Sequence, residues 1–204
     1  MAIDIHALSD FMRQDRKITI EMAGCALELD LSIRHERHYA CKYLTYLPYP
    51  QSDVDTMLIE YLVRPGDRVL DAGANIGFTA LEFLEAGASE VVAIEPVSSL
   101  FGRLEKIADP RIRPIKAAVS DRTGTAQLHI SQTHNQGSTL KTEIIGIFPQ
   151  IFGDETEIVP LTTIDRIAAD HGPFDIWKID IEGAEVECLD GAVETLSGSP
   201  PRAI

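Results

Sequence analysis

The sequence predicts an α/β fold, an open and mostly parallel sheet with helices on both faces. Two observations predict it. From residue 68 onward, short apolar runs alternate with segments of helical periodicity. One of these runs, around Val69-Leu70, leads straight into the Gly-rich turn Asp71-Ala72-Gly73-Ala74-Asn75-Ile76-Gly77 and then into a helix.

Residues 18–20 and 26–31 flank Ala23-Gly24 and predict a hairpin, followed by a stretch rich in His and Tyr over 35–49. Residues 1–52 therefore read as an N-terminal extension, hairpin and loop, packed on a main domain over 53–204. Val54, Met57, Leu58, Tyr61 and Leu62 recur at the spacing of a one-sided helix, with Ser52 or Asp53 as its cap and Pro65-Gly66 as its stop. Strands are expected over 68–70, 91–94, 112–119 and 174–179, with a last one starting at Ala203-Ile204. Between the first three lie helical segments over 78–86, ended by Gly87, and 98–108, ended before Pro110. Residues 125–161 break the rhythm. Ala126, Leu128 and Ile130 alternate as in a strand, and 158–161 offer a partner, which predicts an inserted antiparallel hairpin with a long loop. A final helix carries Val186, Leu189, Val193 and Leu196, with Glu182 and Glu185 as acids of its first turn. Trp177 falls inside a strand covered on both faces and reads as core.

The 204 residues are 45% hydrophobic, enough for one domain with a real core. A formal charge of -14 disfavours a nucleic-acid partner, since phosphate binding relies on clustered Lys and Arg. No apolar run is long enough to cross a bilayer, and Asp4, His6 and Asp10 interrupt the segment where a signal peptide would be apolar, so a soluble, cytoplasmic protein is expected. Cys25, Cys41 and Cys188 show no CxxC pairing and read as buried free thiols.

In an open α/β sheet, ligands bind where a strand runs into such a turn. Gly73 and Gly77 allow a sharp bend and close approach to a ligand, and the free N–H groups of the following helix can receive a carboxylate. S-adenosylmethionine offers that carboxylate, beside an ammonium for Asp71. A dinucleotide site would place a second Gly where Asn75 stands, which favours a ligand without phosphates. Glu95, ending the second strand, can accept from both ribose hydroxyls of an adenosyl group and does not choose between S-adenosylmethionine and NAD. Asp180 and Glu182 share the same rim of the sheet and are candidates to orient or deprotonate a hydroxyl nucleophile.

Residues 55–196 resemble the FkbM family of S-adenosylmethionine-dependent methyltransferases. Asp71, Gly73, Ala74, Asn75 and Gly77 of the first block and Lys178-Ile179-Asp180-Ile181-Glu182-Gly183-Ala184-Glu185 of the second carry the resemblance. It implies a Rossmann-like class I methyltransferase fold and O-methyl transfer to a hydroxyl of a small molecule, sugar or secondary metabolite, with S-adenosyl-L-methionine as cofactor. It further implies that Ala118, Val119 and Asp121 lie against the adenine ring. The polar loop His134-Asn135-Gln136-Gly137-Ser138-Thr139 matches a family segment near the site, making His134 a catalytic and Asn135 a substrate-binding candidate. Nothing in the spacing requires a metal. The family's sheet continues through further strands, whereas this chain ends as a fifth begins. The domain is thus expected either to be a fragment or to have its sheet completed by a partner, leaving a homo-oligomer open. A cofactor-binding module without catalysis and a NAD-dependent oxidoreductase are the alternatives.

Overall fold

The computed structural model describes residues 5–45, 47–131 and 137–204. A short helix α1 (Ile5–Phe11) precedes the expected hairpin of β1 (Lys17–Met22) and β2 (Cys25–Asp30). Ala23 and Gly24 have φ of 53° and 80°, the mirror-image turn that matches strand twist in two-residue hairpins. One face of the hairpin buries Ile20, Met22, Leu27 and Leu29 in the same apolar cluster as Leu81 and Leu84 of the main domain. Each buried Leu contributes about 2 kcal/mol to holding the extension in place.

Where a loop was expected, α2 (Arg34–Thr45) forms. Its polar residues point inward to partners distant in sequence. Glu36, fully buried, accepts from the Asp30 N–H and pairs with Arg103 at 2.7 Å, and Arg37 donates to the Ser9, Leu31 and Ser32 carbonyls. Helix α3 (Pro50–Leu62) starts earlier than the sequence predicts. Pro50 opens it, and the Asp53 carboxylate reaches back to accept from the Tyr49 N–H at 2.8 Å, so Asp53 lies within the first turn rather than at the cap. The stripe expected to be buried is turned outward, with Val54, Met57, Leu58 and Tyr61 exposed while Ile59 is buried.

The α/β part begins with β3 (Arg68–Ala72), α4 (Phe78–Glu85), β4 (Glu90–Ile94), α5 (Ser98–Leu104) with a 3₁₀ turn over Glu105–Ile107, and β5 (Ile112–Ile115). The run expected as one strand over 112–119 is two. After a break at Lys116 and Ala117, β6 (Ala118–Val119) leaves the main sheet. The insertion consists of β7 (Gly124–Ser131), α6 (Thr142–Ile147) and β8 (Phe152–Thr162), with Ala126 opposite Val159 as the alternation predicts. β8 also pairs in parallel with β6, so the hairpin is part of a three-stranded sheet in the order β6-β8-β7. α7 (Ile164–His171), β9 (Ile176–Ile179), α8 (Glu185–Asp190) and α9 (Val193–Gly198) follow. The single last helix of the sequence reading is therefore two, broken at Gly191. A Cβ at Gly191 would collide with the Ser120 carbonyl, so the chain bends there to pass close to the turn after β6. Val186 and Val193, read as a buried face, are exposed, and Cys188 and Ala192 are buried instead.

The main sheet is parallel, in the order β5-β4-β3-β9. Beyond β9, Ala203 makes a parallel bridge to Ile176, and its carbonyl accepts from the Trp177 N–H at 3.0 Å, where the fifth strand was expected to start. Successive residues feed opposite cores. Val69, Val91 and Ile176 join the cluster with α4, α5 and the hairpin, while Leu70, Val92 and Trp177 join the one with α7 and α8. Trp177 is a core residue, as expected. The three cysteines are free and buried, and among the described residues no helix is long and apolar enough to cross a membrane.

Candidate functional site

The turn after β3 folds over the end of β4, because the Gly73 and Ala74 N–H groups both donate to the Ile94 carbonyl, at 3.0 and 2.9 Å. Gly73, Asn75 and Gly77 all lie in the left-handed region, with φ of 80°, 53° and 91°. Asn tolerates that region better than other side chains, and its Oδ1 accepts from the Ile76 N–H at 2.8 Å. The glycines carry a packing role beside the ligand approach read from the sequence. A Cβ on Gly73 would run into the Asp180 carbonyl, and one on Gly77 would meet Leu104 and Ile107. They let the two sequence blocks, and α4 and α5, close on one another.

Glu95 clasps this turn to its own strand end. Its Oε2 accepts from the Asn75 N–H and its Oε1 from the Val97 N–H, each at 2.9 Å. Burial pushes its carboxyl up to about 7 although both N–H groups oppose the shift. Each oxygen keeps a further lone pair for a ligand hydroxyl. Asp71, fully buried, stands opposite Lys178 in the β3–β9 register, with Oδ1 3.2 Å from the Lys178 Nζ. Its Oδ2 has no hydrogen-bond partner among the described residues. Burial raises the Asp71 pKa and the ammonium lowers it. Lys178 also donates to the Gly73 carbonyl at 2.8 Å and lies 4.0 Å from the exposed Asp180 carboxylate.

Glu182, at φ 53°, follows at the end of β9. Burial, then Asp180 and Glu185, hold its carboxyl above the usual range. Glu185 opens α8, and its Oε1 accepts from the Ile181 and Gly183 N–H groups at 3.2 Å each, which secures the turn on which Glu182 stands. The insertion reaches the same turn, where the Thr139 hydroxyl donates to the Glu182 carbonyl at 2.8 Å and Lys141 pairs with Glu187.

These elements enclose a cavity of about 650 Å³. Gly73, Asn75 and Glu95 line it from one side, Ala118 and Val119 form an apolar wall, and Asp180 and Glu182 lie on the β9 side. Four other expected residues do not line it. Asp71 sits behind Lys178, Ala74 is buried in the turn, Gly77 caps α4, and Asp121 is bonded to Ser120 and Arg122. His134 and Asn135 lie outside the described residues. Lys178 and Glu82 are among the lining residues that the sequence reading did not single out. Lys178 was legible in principle, since strand alternation puts it on the same face as Asp180. Glu82 of α4 carried no signal, because its partner Thr56 lies 26 residues away on α3.

Residues 71–203 match the model of the methyltransferase FkbM domain. No curated protein matches the sequence. Among solved structures, a transferase from Pyrococcus horikoshii is 21% identical over 52% of this chain and 37% of its own, with a TM-score of 0.37. TYW2 from M. jannaschii, in complex with AdoMet, is 16% identical over 65% of this chain and 56% of its own, with a TM-score of 0.38. A SAM-dependent methyltransferase from Agrobacterium tumefaciens is 11% identical over 79% of this chain and 38% of its own, also at 0.38. The chain spans little more than a third of the length of the first of these, covering 37%. The fold stands on the strand order and register above, and the family on its model, whose match takes in both blocks and well over half the sequence: the chain belongs to the FkbM methyltransferase domain family.

Proposed function

We propose that the chain is the core of an S-adenosylmethionine-dependent methyltransferase acting on a hydroxyl of a small molecule. The observation that carries this reading is the meeting of the Asn75–Glu95 clasp, the Ala118-Val119 wall and the Asp180 and Glu182 carboxylates around one cavity. Its volume of about 650 Å³ lies in the range of small-molecule sites.

The residues present fit the cofactor. Glu95 has lone pairs left for two ribose hydroxyls, and Ala118 and Val119 offer an apolar face to an adenine ring. When bound, S-adenosylmethionine supplies an electrophilic methyl group on a sulfonium with a good leaving group. The chain's own task is then to hold an acceptor oxygen in line and to exclude water. Asp180 orients the acceptor hydroxyl, and Glu182 takes its proton as the new O–C bond forms. A carboxylate raised by burial is better matched to that proton than an exposed one. The charge of -14 supports a neutral or cationic acceptor over a polyanion.

Calorimetric titration with S-adenosylmethionine and with NAD tests the reading, using the wild-type chain and Glu95→Ala. Saturable binding of S-adenosylmethionine alone is expected, weakened about tenfold or more in the variant, as for loss of a charged hydrogen-bonding group. Binding of NAD without S-adenosylmethionine would sink it.

A further inference from the structure

We infer that Lys178 is a positioning residue of this site, whose ammonium ties the two sequence blocks together and supplies the counter-charge for the carboxylates around the cavity. The inference rests on the cofactor reading above and deepens it.

Geometry places the ammonium at a junction. Lys178 pairs in register with Asp71 on β3, and alternation along β9 brings it to the same face as Asp180. Its Nζ donates to the Gly73 carbonyl at 2.8 Å and the Ala72 carbonyl at 3.4 Å, and lies 3.2 Å from Asp71 and 4.0 Å from Asp180. The first block is therefore fixed to the second by one side chain as well as by the close passage of Gly73 under the Asp180 carbonyl. Among the described cavity-lining residues, Lys178 is the one Lys or Arg.

Carboxylates face it from every neighbouring element. Asp71 comes from β3, Glu95 from the end of β4, and Asp180 and Glu182 from the turn after β9, with Glu185 behind Glu182 at the start of α8. Burial drives Asp71, Glu95 and Glu182 toward the neutral acid, and the ammonium opposes it at each of them. Breaking the Asp71–Lys178 pair from one side would leave a buried charge without a partner.

A merely architectural lysine and an electrostatic one leave different signatures. At high pH the carboxylates hold their charge more fully, so removing the positive charge of Lys178 costs the hold on a cationic ligand less there. Near pH 6 the carboxylates that lose their counter-ion take up protons, and the hold weakens.

The test compares wild type, Lys178→Met, Lys178→Arg and the double variant Asp71→Asn/Lys178→Met, which removes the buried pair together if the single variant fails to fold. Two readouts are taken, S-adenosylmethionine affinity from pH 5.5 to 8.5 and carbon-detected NMR titration of the side-chain carboxyls in the free protein. Expected are upward-shifted midpoints for Glu95 and Glu182 in Lys178→Met and for Glu182 in the double variant, where loss of Asp71 offsets the effect on Glu95, with an affinity loss about tenfold larger at pH 6 than at pH 8.5, and recovery in Lys178→Arg. An equal loss at every pH, or unmoved carboxyl midpoints, would overturn the inference. If wild type binds no S-adenosylmethionine, the proposed function fails, while the carboxyl titration still decides the role of Lys178.

Discussion

Glu82 lies on α4 with its Oε1 accepting from the Thr56 hydroxyl at 2.7 Å, and Lys42 donates to that same hydroxyl at 2.8 Å. Burial pushes its carboxyl up from 4.5 to about 7. Between those values the folded chain holds a proton that the unfolded chain has released. The corresponding stability is fully present below pH 4.5 and is lost as pH rises through 7. Glu82→Gln keeps an acceptor for Thr56 and removes the titration. It is expected to match wild type at pH 4.5 and to be more stable at pH 8, on the order of 2 kcal/mol, by urea unfolding. An equal difference at both pH values would contradict this. At this scale the sequence shows the motif residues and hides the contacts that give others their chemistry. Asn75 and Asp180 were legible as members of blocks, and Glu95 as the end of the second strand. Lys178 acts on Gly73 across 105 positions, and Glu82 on Thr56 across 26, distances over which no local pattern reports.

The Ala23-Gly24 turn places a residue with a Cβ at φ 53°, where Asn is better tolerated than Ala. Its backbone bonds do not involve the side chain: the N–H donates to Glu85 and the carbonyl accepts from Arg111. Ala23→Asn is therefore expected to stabilise the chain by about 0.5 kcal/mol, read as a higher urea midpoint at unchanged slope; a lower midpoint would refute the turn assignment. The hairpin, the β-α alternation and the inserted ladder were legible because each buries residues at its own period. Helix α2 was not, because its inward residues mix Glu36, Arg37 and His38 with Ala40 and Cys41, so no apolar period marks the face. The break between β5 and β6 at Lys116 and Ala117 was also missed, since apolar residues resume directly after Lys116 while the backbone changes sheets. Pro114 in β5 was compatible with a strand because β5 is the edge of its sheet.

Across the whole molecule, two of the departures from the sequence reading lie where apolar residues recur at helical spacing and are nevertheless exposed. On α3, Met57 is 60% and Tyr61 84% exposed, and on α8 and α9 Val186 and Val193 are exposed as well. Replacing Met57 with Glu and Tyr61 with Lys is expected to change stability by less than about 0.5 kcal/mol while reducing light scattering at high concentration. A large loss of stability would show that these side chains are packed after all. The three-stranded sheet connects a remote part of the molecule to the cavity. β6 supplies Ala118 and Val119 to the wall, and it is hydrogen-bonded to Leu161 and Thr162 at one end of β8, whose other end at Phe152 reaches the far end of the insertion. The ladder, irregular between His129 and Ser131, thus gives one hydrogen-bonded path from the far end of the insertion to the Ala118-Val119 wall, so an insertion of different length would be felt first at that wall.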